Sequence, residues 1–507
     1  MKLTTESLAR ATGRRPWITV GVWVLIIAAA VFVTSRFLGD ALTTDISFTN
    51  EPEAVRAAEV MEDRFGKEGV TEIFLLSSEG STVQDPAFES SVRELQATAA
   101  DLGGDDIESA VTYYDTKDPS MISQDGRTTL MPVVFKDSGD LSDKLPTVEK
   151  ILDAGNETTG MSAQSFGAIT LDEDFNAIAE EDLARGESIG IIVALIVLVA
   201  VFGAVVAGVV PIAMGVASIT VALGIVALVG QAFDFSFFVT NMISMMGLAV
   251  GIDYSLFIVS RYREERSRGR EKLDAIRASG ATASRAVFFS GMTVVLALVG
   301  MLILPTTIFR SLAAGAIFVV VVAVLASLTL LPALLGILGD RVNSLRVFRR
   351  KRVTGSEESH RFWDRITHGV MGRPVVSLII GAGLLLAAAF SYLDINTGFS
   401  GVSTLPDDTP SKQAFVILDE EFSGGLNSPA EIVVEGDVSS TGVQGAISDL
   451  QALMEKDGLF GPSQVQVSKT EDVAVISAPI AADPSGRVAT STIERLRSDY
   501  VPDAFAG

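Results

Sequence analysis

Charge along this chain falls in blocks, and the stretches between the blocks are long and apolar. Between Glu187 and Asp234 lie 46 residues without Asp, Glu, Lys or Arg, and further uncharged runs cover 286–309, 311–339 and 374–393. A bilayer core of ~30 Å takes about 20 apolar residues of helix, so each run is long enough to cross one. The 46-residue run must hold two crossings, with the turn expected at "AGVVP", Ala207 to Pro211, because proline ends or bends a helix. Near the start, "PWITVGVWVLIIAAAVFVT" follows Arg14 and Arg15. It is long and lacks a good small-residue cleavage site, so it reads as an uncleaved span rather than a signal peptide. Seven spans are predicted: 17–37, 188–209, 211–232, 236–260, 286–308, 311–338 and 374–393.

Outside the spans the periods change. "PEAVRAAEVMEDRF", "DPAFESSVRELQATAADL" and "LSDKLPTVEKIL" have helical spacing of apolar residues, whereas "VTEIFLL" and "TTLMPVVF" read as strands. Residues 38–187 therefore form an α/β domain, and "FGAITLDEDFNAIAEEDLARGE" reads as a helix running from it into the second span. The division expected is a first segment and span at 1–37, an α/β domain at 38–187, a five-span bundle at 188–340, a basic linker at 341–373, a seventh span at 374–393 and a second α/β domain at 394–507. "RGREKLDAIRASGATASRAV" predicts an amphipathic surface helix before the fifth span. The cluster "RVFRRKR", ending at Arg352, reads as a topology signal next to anionic lipid.

The chain also repeats itself. "RRPWITVGVWVLIIAAAVF" matches "GRPVVSLIIGAGLLLAAAF", placing Arg15-Pro16 on Arg373-Pro374, and Pro52 falls on Pro410 at the same offset. Phe65, Gly66 and Glu72 fall on Phe422, Gly424 and Glu431 at nearly that offset. A constant offset through a span, a linker and a strand indicates duplication. The first copy continues into five spans after its α/β domain, and the second stops at Gly507. The expectation is that this is an N-terminal fragment lacking spans 8–12, the intact protein having ~700 residues and 12 spans in two parallel repeats.

Composition sets orientation and excludes some chemistry. Residues 1–16, 261–285 and 340–373 carry 4, 8 and 9 of the 39 Lys and Arg, whereas residues 38–186 hold 10 Lys and Arg against 32 Asp and Glu. By the positive-inside rule the basic segments are cytoplasmic and both α/β domains, 38–187 and 394–507, extracytoplasmic. The N-terminus is then cytoplasmic and the protein a multi-pass component of the plasma (inner) membrane. The net charge of −23 averages these faces, and acidic outer domains read first as well-solvated ones, with no nucleic-acid partner implied. Mean hydropathy is +0.41. With no cysteine and two histidines, neither a disulfide framework nor a zinc set is indicated. No G-x-x-x-x-G-K-[ST] stretch is present and no hydrolase arrangement is evident, so the protein reads as no enzyme, with no cofactor, driven by an ion gradient.

The candidate chemistry lies in "GLAVGIDYSLFIVSRYREE", the fourth span. Asp253 sits eight residues before Arg261, about 12 Å along a helix. A carboxylate at that depth costs ~2.5–3.5 kcal/mol on insertion scales and usually faces a bundle interior, a partner or a wet cavity. Apolar surroundings favour the protonated form of a carboxyl, so Asp253 can load and release a proton as access alternates. Gly247 and Gly251 form a small-xxx-small pair that admits another helix closely. Tyr254 shares that face, and its hydroxyl can bond a carboxylate or a water. Ser290, in "FFSGM" near the start of the fifth span, is a further hydroxyl candidate. The bland alternative for Asp253 is a hydrogen-bonding tie between helices.

These residues, followed by "ASGATASRAVFFSGMTV", resemble the MMPL (mycobacterial membrane protein large) family of the resistance–nodulation–division (RND) transporter superfamily, and the resemblance covers the whole chain in order. It implies an RND-type fold of 12 helical spans with extracytoplasmic porter-like α/β domains. It also implies that Asp253 and Tyr254 are half of a proton relay, whose matching pair lies in span ten near position ~611 if the repeat offset holds. Ser290 would support that relay, and Gly247 and Gly251 pack the helices beside it. Family members export lipids, siderophores or hydrophobic small molecules including antibiotics, as monomers or trimers. A proton-driven exporter handling membrane lipids or a drug-like substrate, with a homo-oligomer possible, is the leading expectation. The alternative from another class is a non-transporting, sterol-sensing-type receptor or scaffold on the same spans.

Overall fold

The computed structural model describes residues 4–43, 47–66, 69–78, 80–104, 106–136, 141–345, 357–394, 402, 405–422, 429–482 and 486–506. The cluster ending at Arg352 and the repeat match at Gly424 lie outside the described residues.

The helix α1 (Thr5–Arg14) precedes α2 (Pro16–Phe37), which Pro16 opens at a position where its missing N–H costs nothing. After β1 (Leu42–Thr43) come α3 (Glu53–Phe65), β2 (Val70–Ser77), α4 (Pro86–Gly103), β3 (Ile107–Ala110), α5 (Tyr113–Thr116), β4 (Thr128–Phe135), α6 (Leu141–Glu157) and β5 (Ser162–Gly167). Next are α7 (Ala168–Phe202), α8 (Val205–Val229), β6 (Phe235–Ser236), α9 (Phe238–Ser267), α10 (Lys272–Ala281), α11 (Ala283–Val299) and α12 (Thr307–Leu338). The chain continues with α13 (Glu357–Gly372), α14 (Pro374–Phe390), α15 (Pro410–Glu421), β7 (Ala430–Glu435), α16 (Thr441–Asp457), β8 (Gln464–Val467), β9 (Val473–Ala478), α17 (Arg487–Arg495) and α18 (Val501–Ala504).

Six of these stretches are long and apolar enough to cross a membrane: α2, α7, α8, α9, α10 with α11, and α12. A seventh is a bent pair, residues 364–372 with α14, at 99°. The first six predicted spans fall on these six stretches, with one displaced turn. Pro211 is buried inside α8, and the chain turns instead at Gly203, whose φ of +66° is a left-handed conformation that glycine adopts without a Cβ penalty. Proline is tolerated within a buried apolar helix because neighbouring groups can satisfy the freed carbonyl.

Two compact units result. The first comprises residues 1–51 and 180–356, the second 52–179 and 357–507. In the first unit α8, α9 and α12 carry most of the buried surface. The indole N–H of Trp23 on α2 donates to Thr329 Oγ1 on α12 at 3.0 Å. The predicted surface helix α10 buries Ala275, Ile276, Ser279 and Gly280, and α1 packs against it. A Cβ on Gly280 would lie 2.6 Å from that of Ala9, and Arg277 pairs with Glu6 at 2.5 Å.

The second unit holds two antiparallel sheets, ordered β3-β4-β2-β5 and β7-β9-β8. If β2 is matched to β7, β3 to β8 and β4 to β9, the first three strands of one sheet reproduce the order of the other. The duplication read from sequence offsets is therefore also a duplication of topology. The helices that precede the matched strands are exchanged. From the second copy, α15 seats Ala414, Leu418 and Phe422 on Leu75, Leu130 and Phe166 of the first sheet, whereas α3, from the first copy, lies against the second sheet and buries no residue.

Candidate functional site

Close approach of α8 and α9 sets the site. A Cβ on Gly251 would sit 2.6 Å from Gly215 Cα and 3.0 Å from Gly215 N. One on Gly247 would overlap Ile219 and lie 3.0 Å from Val319 Cγ2 on α12. A larger residue at 251 meets backbone and forces the helices apart, and one at 247 must displace the Ile219 side chain. Ser255, one turn beyond Gly251, is fully buried and donates to the Gly251 carbonyl at 2.6 Å and to that of Ile252 at 2.9 Å. Its hydroxyl is thereby satisfied within the helix.

Tyr254 is buried at 8% exposure, with its ring end against α11. A Cβ on Gly291 would lie 3.5 Å from Tyr254 Oη, 3.6 Å from Cε2, and would overlap Val324 of α12. Gly291 is thus the residue that makes room for the tyrosine. Ser290, its neighbour, is exposed and has no hydrogen bond to Tyr254 or Asp253 among the described residues.

Of the settings expected for Asp253, a bundle interior, a partner or a wet cavity, the described residues do not supply the first. It is exposed, and on α9 it shares its stripe with Met245, Ala249 and Phe257, all exposed at four-residue spacing. Consecutive helix positions are 100° apart. Packing Gly247, Gly251 and Tyr254 inward therefore turns Asp253 to the side that the described helices leave uncovered. Among the described residues it has neither an ion pair nor a hydrogen bond. The result is an apolar stripe with one carboxyl at its centre, flanked on the inner side by a close helix crossing and a buried tyrosine.

The charged end of α9 is pinned by ion pairs that sequence reading did not single out. Glu265, 1% exposed, meets Arg261 at 2.7 Å, Arg270 at 3.0 Å and Arg268 at 3.1 Å. Arg263 donates to the Phe202 carbonyl at 2.8 Å and to Asn343 Oδ1 at 2.7 Å, with its guanidinium 5.2 Å from the Phe202 ring centroid. It thereby caps the last carbonyls of α7 and ties them to the segment after α12.

A second missed acid is Glu72 on β2, 0% exposed. Thr170 Oγ1 and Ile169 N, in the first turn of α7, donate to it at 2.5 and 3.2 Å. A Cβ on Gly167 would overlap its carboxyl. Burial dominates and pushes its pKa up from 4.5 to about 7, against the lowering effect of those hydrogen bonds. The match of Glu72 to Glu431 across the repeat was the available signal. Under α3, a cleft of ≈ 290 Å³ is lined by Met61, Glu62, Phe65, Glu431, Gln466 and Ser477, and one of ≈ 530 Å³ continues beside β7. Among the described residues no group of three or more acid or histidine side chains is placed to hold a metal ion.

A model described as the MMPL family matches residues 48–377. The chain is 28% identical over 515 residues to the mycolic acid-containing lipids exporter MmpL11 of Mycolicibacterium smegmatis, covering 97% of this chain and 52% of that one. It is 28% identical over 475 residues to the trehalose monomycolate exporter MmpL3 of the same organism, covering 86% and 46%. To the heme uptake protein MmpL11 of Mycobacterium tuberculosis it is 31% identical over 329 residues, covering 64% and 34%. The chain spans about half the length, or less, of these relatives.

Proposed function

Because the chain belongs to the MMPL family of membrane transporters, we propose that the protein exports a lipid or a hydrophobic small molecule, driven by the proton gradient through Asp253 and Tyr254. The single observation behind this is the lone carboxyl at the centre of an otherwise apolar stripe, with a buried tyrosine at the next position and a glycine-to-glycine crossing behind it.

Protonation is the switch. Neutral, Asp253 lets the Met245–Ala249–Phe257 stripe pack against another apolar helix. Ionised, it requires water, a cation or a hydrogen-bond donor on that side, since an unpaired charge there costs several kcal/mol. The matching pair expected in span ten is the partner for this side. One proton moving down a 100 mV gradient supplies ~2.3 kcal/mol, enough to shift a two-state helix arrangement by more than tenfold. Tyr254, held against Gly291, is the neighbouring hydroxyl through which that proton is handed on.

The rest of the reading follows from the same premise. The basic ends of the spans face the cytoplasm at the plasma membrane, both α/β domains lie outside, and the complete protein has 12 spans. Two of the relatives are named for exporting mycolic acid-containing lipids and trehalose monomycolate, which favours a lipid substrate. The cleft beneath α3 is the proposed passage. The test is Asp253→Asn in the full-length protein reconstituted in liposomes, with proton flux and lipid export both measured. Loss of both, with folding retained, is expected. Undiminished export in the variant removes the relay, and lipid binding without proton flux in the wild type identifies a receptor or scaffold instead.

A further inference from the structure

Three buried hydroxyls, one each on α9, α11 and α12, have no protein partner. Tyr262 and Ser284 are 0% exposed and Ser327 is 1% exposed, and Tyr262 Oη, Ser284 Oγ and Ser327 Oγ have no hydrogen bond among the described residues. Gly291 fixes how the three helices meet, since a Cβ there would touch both Val324 and Tyr254.

By helix period each orphan hydroxyl falls on the stripe that continues from this point on its own helix, and the three stripes define a seam. On α11 the buried positions are Ser284, Val287 and Gly291, a single stripe at i, i+3 and i+7. On α12, Val324, Ser327, Leu328 and Leu331 form the corresponding buried stripe, and on α9 it is Tyr254, Ile258 and Tyr262. Gly315 packs on Val239 and Ile243, and Gly247 packs on Val319, so α9 and α12 run in the same direction. The short connection from α11 to α12 makes α11 antiparallel to both. With a rise of 1.5 Å per residue, Ser327 falls about one turn beyond Tyr254, and Ser284 and Tyr262 about 10–12 Å beyond it. The walls between them are apolar: Ile258, Val287, Leu328 and Leu331.

Leaving a buried hydroxyl unpaired costs about 1–3 kcal/mol, and phenylalanine at 262 would fill the same space without that cost. Three such groups in register along one seam are therefore expensive unless water occupies it. The seam ends at the charged end of the bundle. There the Arg266–Asp340 pair is next to Tyr262, Glu265 holds Arg261, Arg268 and Arg270, and Lys272 donates to the Gly336 carbonyl.

We propose that this seam is a proton path, in which Tyr262, Ser284 and Ser327, bridged by water, connect the charged end of the bundle to the Tyr254 hydroxyl. Each hydroxyl accepts a proton on its oxygen and passes its own forward. One proton enters, one leaves, and no side chain changes its net state. The proposal rests on the relay reading above and adds positioning residues that feed it.

The experiment measures proton flux into liposomes carrying the full-length protein and a trapped pH dye. A Tyr262→Phe/Ser284→Ala/Ser327→Ala variant is expected to slow the flux by about tenfold or more while its thermal midpoint holds or rises. Ser218→Ala on α8, which removes a buried hydroxyl bonded to the Met214 carbonyl, is expected to leave the flux unchanged. Tyr262→Phe alone keeps the ring and is expected to slow the flux severalfold, so wild-type flux in that variant overturns the path even where the triple variant does not fold. Wild-type flux in the triple variant, with Asp253→Asn abolishing it, refutes the seam and leaves the relay standing. Absence of flux from the wild type refutes both.

Discussion

Two residues illustrate how little side-chain volume or charge decides in this chain without its surroundings. Gly251 faces backbone at 2.6 Å, whereas Gly21 on α2 has nothing within 4 Å of a would-be Cβ. Gly251→Val should therefore destabilise by about 1–3 kcal/mol through overpacking, and Gly21→Ala should be neutral or stabilising by up to about 1 kcal/mol. Thermal unfolding in detergent orders the two. Glu72 gives the first α/β domain a pH dependence near neutrality. Its folded pKa of about 7 lies above the unfolded 4.5, so the folded state binds the extra proton. Its contribution is complete below about 4.5 and is lost as pH rises through about 7, amounting to about 3 kcal/mol in the limit. Hydrogen exchange of β2 and β5 amides should accordingly lose protection between pH 5 and 8, beyond the intrinsic change, and Glu72→Gln should flatten that loss. Gly251 was legible in the sequence as half of a small-xxx-small pair, whereas Glu72 was not singled out as a buried acid. Glu72 was visible only as half of a repeat match, because nothing in "VTEIFLL" tells a buried acid from an exposed one.

At the scale of elements, the two exchanged helices are related by the duplication but are held differently. On α15, Leu418 is buried against the apolar face of the first sheet. By contrast, α3 has no buried residue and is fixed to the second sheet's domain by the Arg64–Asp472 ion pair at 3.0 Å, with both partners over 40% exposed. Exposed ion pairs contribute about 0–1 kcal/mol. Leu418→Ala should cost about 2–5 kcal/mol, and Met61→Ala on α3 under about 1 kcal/mol. Amides of α3 should exchange faster than those of α15. The sequence showed α3 by its apolar period, which needs only one chain segment, and α15 only through the repeat that places Pro52 on Pro410 and Phe65 on Phe422. It could not show which sheet each helix covers, because that choice is made by contacts between segments far apart in the chain. The displaced turn between α7 and α8 has the same origin. Pro211 is a strong local signal, yet the surrounding helices bury it inside α8, and Gly203 provides the conformation the turn needs.

At the scale of the whole molecule, the proposed function makes the spans a device in which a proton changes how helices meet. A protonophore should abolish export by the full-length protein in cells to the same extent as Asp253→Asn, and a lipid assay of the outer leaflet reads both. Export that persists without a proton gradient would refute the coupling. By itself, the sequence determined the positions of the apolar helices, the duplication and the isolation of Asp253 within an apolar stretch, because hydrophobic length, offset and charge isolation are properties of a one-dimensional string. Only the tertiary structure decided which side of α9 carries that acid, that Gly291 rather than Ser290 meets Tyr254, and that three distant hydroxyls are buried without a partner among the described residues. Those facts depend on the rotation of each helix about its axis. Rotation is set by close packing at Gly215, Gly251 and Gly291, residues whose effect comes from what approaches them.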